Sequence, residues 1–61
     1  MNQHMEKLQE LKALVEGCDR DAYKFLRGNF KAGTRLRKQM QVIKNKANEI
    51  RQEVMDSRGK E

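Results

Sequence analysis

The sequence lacks proline and tryptophan, and it has one cysteine and three aromatic residues among 61 positions. Aromatic and β-branched residues are the usual material of strands, so their scarcity excludes a β-sheet. The lone Cys18 can form no disulfide within the chain, which suits a reducing compartment. Runs of large apolar residues never exceed two, which excludes a membrane span and a signal peptide. We therefore expect a cytoplasmic protein.

Charged residues make up 38% of the chain, and Lys, Arg, Glu and Gln dominate it. These side chains lose little rotamer freedom in a helix, so the composition predicts an all-α protein. A chain of 61 residues forms one domain at most, 1–61. At this size a single core barely offsets the entropy of folding, so self-association is expected.

Apolar residues recur at alternating steps of three and four along two segments of the chain. This spacing is typical of a coiled-coil seam, with one seam on each of two helices. The two predicted seams consist of Leu8, Leu11, Val15, Cys18, Ala22 and Phe25, and of Leu36, Met40, Ile43, Ala47, Ile50 and Val54.

Between the two seams, Gly28 suits the left-handed position after a helix and Asn29 is a preferred N-cap. We therefore predict one helix over about residues 2–26, a turn at 27–29 and a second helix over about 30–57, with a fraying end. Thr34 is a rival N-cap, which would lengthen the turn. Gly17 weakens the first helix by roughly 1 kcal/mol, but the seam passes it unshifted, so we predict one helix with a slight bend.

Two helices joined by so short a turn form an antiparallel, coiled-coil-like hairpin. The core of one hairpin is thin, and further apolar residues widen the stripe beyond a two-stranded seam. We therefore predict that two hairpins pack into a four-helix bundle, most simply a homodimer.

Positive charge is concentrated in the middle of the chain, where residues 24–47 contain eight Lys and Arg and no Asp or Glu. A solvated helix face normally mixes signs, so this segment predicts a surface for phosphate groups. The predicted DNA-binding residues are Lys24, Arg27, Lys31, Arg35, Arg37, Lys38, Lys44, Lys46 and Arg51. No groove-reading motif is present, so we expect sequence-independent contacts with the backbone of double-stranded DNA; RNA stays open.

The other residues that could bind a ligand or react are predicted to have structural roles. Phe30 is interpreted as capping the core or packing across the turn, with insertion between bases as the alternative, and Tyr23 as packing on the hairpin. Cys18 falls on the seam as a small buried hydrophobe, with a dimer-linking thiol as the alternative. His4 has no second histidine, so no metal site is predicted. No catalytic set, cofactor or small-molecule substrate is indicated, so we expect no enzyme.

The segment from Gly28 to Lys38, with its Gly-Asn turn and its Arg-x-Arg pair, resembles the chlamydial-type family of bacterial linker-histone-like proteins. The resemblance continues through the apolar and basic helix to Val54, and the first helix matches in length. It implies a nucleoid protein that compacts or bridges DNA. Its members carry a long tail rich in Lys, Ala and Pro, which this sequence does not contain, so an oligomer is expected to supply the second DNA contact. The matching basic positions are Lys31, Arg35, Arg37 and Lys38.

The sequence leaves one other function open, a helical interaction module whose basic second helix binds an acidic protein. A membrane-surface helix is not favoured, because the sharp spacing of three and four suits a protein seam and Trp is absent. The predicted function is therefore histone-like organisation of nucleoid DNA.

Overall fold

The computed structural model describes residues 5–58 and places three helices among them. These are α1 (Glu6–Glu16), α2 (Asp19–Leu26) and α3 (Phe30–Arg58). The described residues include no strand, so the predicted all-α class is confirmed. Fraying is predicted from Ser57 to Glu61, but α3 includes Ser57 and Arg58, so that prediction is wrong at these two residues. The predictions for residues 2–4, His4 among them, and for 59–61 lie outside the described residues. No helix between residues 5 and 58 is both long and apolar enough to cross a bilayer.

The molecule has two arms, the first formed by α1 and α2 and the second by α3. The first arm is divided at Gly17 and Cys18, so the prediction of one helix through this point is wrong. Gly17 has a right-handed backbone conformation (φ −68°, ψ −11°), and the backbone conformation of Cys18 is similar. The Cys18 amide donates to the Val15 carbonyl at 3.0 Å, three residues back instead of four. Glycine is a poor helix former. At this point one backbone hydrogen bond spans three residues, which makes the turn tighter than a turn of α-helix. The first arm therefore consists of two helices, α1 and α2, joined through Gly17 and Cys18.

The turn between α2 and α3 occupies Arg27, Gly28 and Asn29. Gly28 has φ +100°, where a glycine avoids the clash of a Cβ atom. The Asn29 amide donates to the Lys24 carbonyl at 3.0 Å and the Gly28 amide to the Phe25 carbonyl at 2.9 Å, the pair of bonds of a Schellman motif. This motif ends α2 and satisfies two of its last carbonyls.

Asn29 also begins the next helix, because its Oδ1 accepts a hydrogen bond from the Ala32 amide at 3.1 Å. Thr34, the rival cap, lies inside α3 instead, and its hydroxyl donates to the Phe30 carbonyl at 3.4 Å. The same asparagine thus closes one helix with its backbone and opens the other with its side chain.

The two arms lie side by side, with α3 contacting α2 near the turn and α1 farther along. Four ion pairs link the arms: Asp21–Arg35, Glu10–Lys46, Lys7–Glu49 and Lys7–Glu53. Residue numbers fall along the first arm as they rise along α3. The molecule measures 50 × 21 × 11 Å. Its smallest dimension is about one helix diameter, so the arms form a single layer.

The contact between the arms does not use all of the predicted seams. Leu8, Val15 and Met40 are 46–49% exposed. Leu14 and Gln39, one position away, are the half-buried residues instead. The predicted placement of the seams between the two arms is therefore wrong in part. Each helix is rotated so that the neighbouring row of residues, which contains Leu14 on one arm and Gln39 on the other, faces the opposite arm. Leu11, Cys18, Leu36 and Ile43 belong to both rows and remain at least half-buried.

Candidate nucleic-acid interface

The nine predicted DNA-binding residues divide into those that pair with described carboxylates and those that do not. Arg35 and Lys46 form ion pairs with the first arm. The other seven make no ion pair with a carboxylate of residues 5–58, and all seven are exposed. They are Lys24, Arg27, Lys31, Arg37, Lys38, Lys44 and Arg51.

Arg35 is held by Asp21 across the two arms. Its Nε and Nη2 donate to Asp21 Oδ1 at 3.2 and 3.0 Å. The Asp21 side chain is only 12% exposed, so its carboxylate depends on this partner in place of water. Charge-assisted bonds of this kind are stronger than neutral ones. Arg35 therefore acts as a link between α2 and α3, and half of its side chain remains open to solvent.

Lys46 lies in a groove between the arms, and its side chain is 20% exposed. Its Nζ is 3.5 Å from Glu10 Oε1 and 3.8 Å from Glu49 Oε1. Two carboxylates around one ammonium leave little net positive field on this side. The sequence assigned Lys46 to the DNA contact because it counted charge along the chain and not across the arms.

The cations without a described carboxylate partner form two rows on α3. Positions seven apart lie nearly above one another on a helix, since two turns take 7.2 residues. Arg37, Lys44 and Arg51 form one such row, and Lys31 and Lys38 form a second. The first row is named the cation row below.

Arg27 extends this positive surface to the turn. Its Nη1 donates to the Tyr23 hydroxyl at 3.1 Å, and its guanidinium carbon is 5.5 Å from the centre of the Tyr23 ring. A guanidinium at this distance is attracted by the ring face. Tyr23 therefore orients Arg27, and it stays 61% exposed, contrary to its predicted packing on the hairpin.

The turn end of the molecule, residues 23–31, also carries exposed apolar side chains. Leu26, the last residue of α2, is 82% exposed, and Phe30, the first residue of α3, is 81% exposed. The interpretation of Phe30 as a core cap is therefore wrong. The sequence could not show this, because an aromatic residue beside a turn is usually packed.

Two small residues that the sequence analysis passed over hold the arms together at this end. Ala32 is fully buried. A Cβ atom on Gly33 would lie 2.6 Å from Cδ1 of Phe25, so only glycine leaves room for that ring. Gly33 has a helical backbone, and its role is close approach between arms. Their signal in the sequence was the Ala-Gly pair just after the predicted N-cap.

The segment that carried the family resemblance is thus largely structural. Asn29 caps α3, Ala32 and Gly33 admit the other arm, and Arg35 pairs with Asp21. Only Lys31, Arg37 and Lys38 of the matching basic positions remain without a described carboxylate partner.

Comparison with protein families matches residues 5–60 to the family described as Histone H1-like protein Hc1. The match spans nearly the whole chain, including all three helices and the turn. No curated protein and no solved structure matches the chain.

Proposed function

The chain belongs to the Histone H1-like protein Hc1 family, a family of DNA-binding structural proteins, and we propose that it organises bacterial nucleoid DNA without reading sequence. Binding uses the phosphate backbone, and the cation row with Lys31 and Lys38 provides the contact. The family supports a DNA-binding nucleoid protein rather than an enzyme. The surface chemistry supports the finer assignment.

The observation that carries this proposal is the cation row. Arg37, Lys44 and Arg51 are exposed, and none has a carboxylate partner among residues 5–58. At 1.5 Å per residue the row spans roughly 21 Å. Duplex DNA carries one negative charge per about 1.7 Å of its axis, so a row of this length faces several phosphates at once. Flexible side chains that meet phosphates carry no base information, which makes the binding sequence-independent.

The ion-paired side of the molecule supports the same assignment by contrast. Glu10, Glu49 and Glu53 lie there with Lys7 and Lys46, so the carboxylates outnumber the ammonium groups by one. Such a surface has little attraction for a polyanion. The DNA contact is therefore assigned to the cation row and to the outer edge of α3 beside it, where Arg37 and Lys38 line one depression.

The salt dependence of DNA binding tests this assignment. We expect Arg37→Gln with Lys44→Gln to lower the slope of log affinity against log salt by roughly two, at about 0.9 for each lost phosphate contact. The matched control is Lys12→Gln with Arg20→Gln, which removes the same charge from the first arm. The measurement is a titration of random-sequence duplex DNA at four salt concentrations.

An equal loss of slope in both variants would mean that net charge alone drives binding, and it would remove the site from α3. No binding of the unaltered chain at low salt would reject the DNA function. Binding to an acidic polypeptide in that case would favour the alternative, an interaction module.

The proposed assembly is a homodimer of antiparallel hairpins, packed as a four-helix bundle. The reversed order of the inter-arm ion pairs supports the hairpin. Cys18 and Ala32 are the only buried apolar residues in the described part of the chain, so one copy has almost no core.

The surface proposed for the second copy is the apolar face, defined here as Leu8, Val15 and Met40. Helical register places these residues on the side opposite to the Glu10–Lys46 and Asp21–Arg35 pairs. Burying each such side chain contributes about 1.5–3 kcal/mol. A dimer through this face would also present two cation rows, and hence two sites for DNA.

A further inference from the structure

The turn end combines the two most exposed large apolar side chains of the described chain with three exposed cations. Leu26 and Phe30 are 82% and 81% exposed. Lys24, Arg27 and Lys31 lie within one or two positions of them, and all three are exposed. No acidic residue occurs between 22 and 48. Two exposed apolar side chains flanked along the chain by cations are matched chemically to a surface that is anionic outside and apolar within.

The backbone that carries these two side chains is firmly held. Leu26 closes α2 inside the Schellman motif, and Phe30 opens α3 directly after the Asn29 cap. Both side chains therefore project from helix ends and not from a mobile loop. A side chain fixed in this way loses little freedom when it inserts into a partner, so the insertion is not opposed by the ordering of a loop.

Phe30 is also continuous with the cation row. It precedes Arg37 by seven residues and so begins the same line along α3. Phe25, Phe30 and Arg37 line one depression at this end of the molecule, which places the ring and the guanidinium on the same side. A duplex lying along the cation row would therefore run past Phe30.

We propose that Leu26 and Phe30 form a wedge that enters the minor groove of the bound duplex, parts one base step and bends the DNA. This inference rests on the proposed DNA-binding function. A helix about 10–12 Å across cannot enter a minor groove about 6 Å wide, so only side chains projecting from the turn reach the bases. Leu and Phe are among the residues that unstack base steps from the minor groove. Lys24, Arg27 and Lys31 hold the phosphates on either side.

Two fluorescence readouts on one duplex test the wedge with the full chain. The duplex carries a dye at each end, which reports bending by energy transfer, and 2-aminopurine at a central TA step, which brightens when unstacked. TA steps are easily kinked. We expect the unaltered chain to raise both signals, with a bend of roughly 20–90°. Leu26→Ser with Phe30→Ser should lose both signals, while affinity falls less than about threefold because phosphate contacts provide most of it.

The matched control is Val42→Ser with Met55→Ser, which removes two exposed apolar side chains away from the turn. Circular dichroism and sedimentation are measured on each variant. Retained bending by the Leu26 and Phe30 variant would overturn the wedge and leave DNA binding intact. If the unaltered chain binds no DNA, the proposed function fails together with the wedge.

Two further outcomes would overturn the wedge in favour of another partner for the same side chains. A change of oligomeric mass in the Leu26 and Phe30 variant alone would assign them to the contact between copies. Binding to anionic lipid vesicles that this variant loses, with unchanged DNA bending, would assign them to a membrane surface.

Discussion

At the scale of single residues, the Asp21–Arg35 pair shows that one arginine of the basic block links two helices through an ion pair. Arg35 lies in the basic block, and its charge alone suggests a phosphate contact. The structure gives it a carboxylate that is 12% exposed and two hydrogen bonds to it. Its first effect is therefore on folding, and the proposed DNA contact two positions on is Arg37, which has no carboxylate partner among residues 5–58.

This assignment predicts that Asp21→Asn destabilises the fold without weakening DNA binding. Loss of the charge-assisted bonds should cost about 1–2 kcal/mol, since Arg35 is half exposed and the pair is partly screened. For a chain of this size that lowers the melting midpoint by roughly 5–15 °C. Thermal unfolding followed by circular dichroism at one fixed protein concentration measures it.

Asp19→Asn is the matched control, because Asp19 is exposed two residues away and forms no ion pair with residues 5–58. Equal midpoints for the two variants would show that the Asp21–Arg35 pair contributes nothing to stability. A fall in DNA affinity for Asp21→Asn at a temperature where it is folded would return Asp21 and Arg35 to the binding site.

At the scale of helices, Gly17 and Gly28 are glycines with opposite requirements. Gly17 has a right-handed backbone, and a Cβ atom there meets only ordinary contacts, the nearest at 3.4 Å. Gly28 has φ +100°, which an L-amino acid with a side chain rarely adopts. One glycine interrupts a helix that could continue, and the other makes a turn that no other residue makes as easily.

We therefore expect Gly17→Ala to stabilise the protein by about 0.4–1 kcal/mol, because alanine restricts the unfolded chain and favours a continuous first arm. Urea unfolding measures the change, and the helical signal should rise slightly. Gly28→Ala serves as the opposite control and should destabilise by about 1 kcal/mol or more. A destabilising Gly17→Ala would mean that the interruption between α1 and α2 is required for the packing of the arms.

At the scale of the whole molecule, a single layer of helices leaves both of its faces open to solvent. One face carries the inter-arm ion pairs, and the other is the apolar face of Leu8, Val15 and Met40. The structure thus separates an ion-paired polar side from a side that is apolar along its middle. The cation row borders this apolar face, so association of two copies there would bring two rows into one particle.

If two copies associate through the apolar face, as proposed, Leu8→Ser with Met40→Ser should convert that dimer to a monomer. The control is Val42→Ser, which removes a similarly exposed apolar side chain from the groove on the ion-paired side. Sedimentation equilibrium over a range of concentrations gives the mass. Dissociation by the Val42 variant alone would place the contact on the other side, and a monomeric unaltered chain would reject the dimer.

The sequence by itself determined the helical class and the position of the positive charge. Both follow from local properties: rotamer freedom in a helix and the count of charges along a segment. The Gly28-Asn29 pair, which lies in the turn between α2 and α3, is equally local, since one residue requires a positive φ and the other supplies a cap.

Only the tertiary structure decided which side of each helix faces the other arm. Two registers are possible, with Val15 and Met40 or with Leu14 and Gln39 between the arms. Apolar spacing favours the first, which the structure does not adopt. The structure adopts the second register, and in it Asp21 and Glu10 form ion pairs with residues of the other arm. The exposure of the apolar face, of Leu26 and Phe30, and of the cation row follows from that choice, because exposure depends on what lies across from a residue and not on its neighbours in sequence.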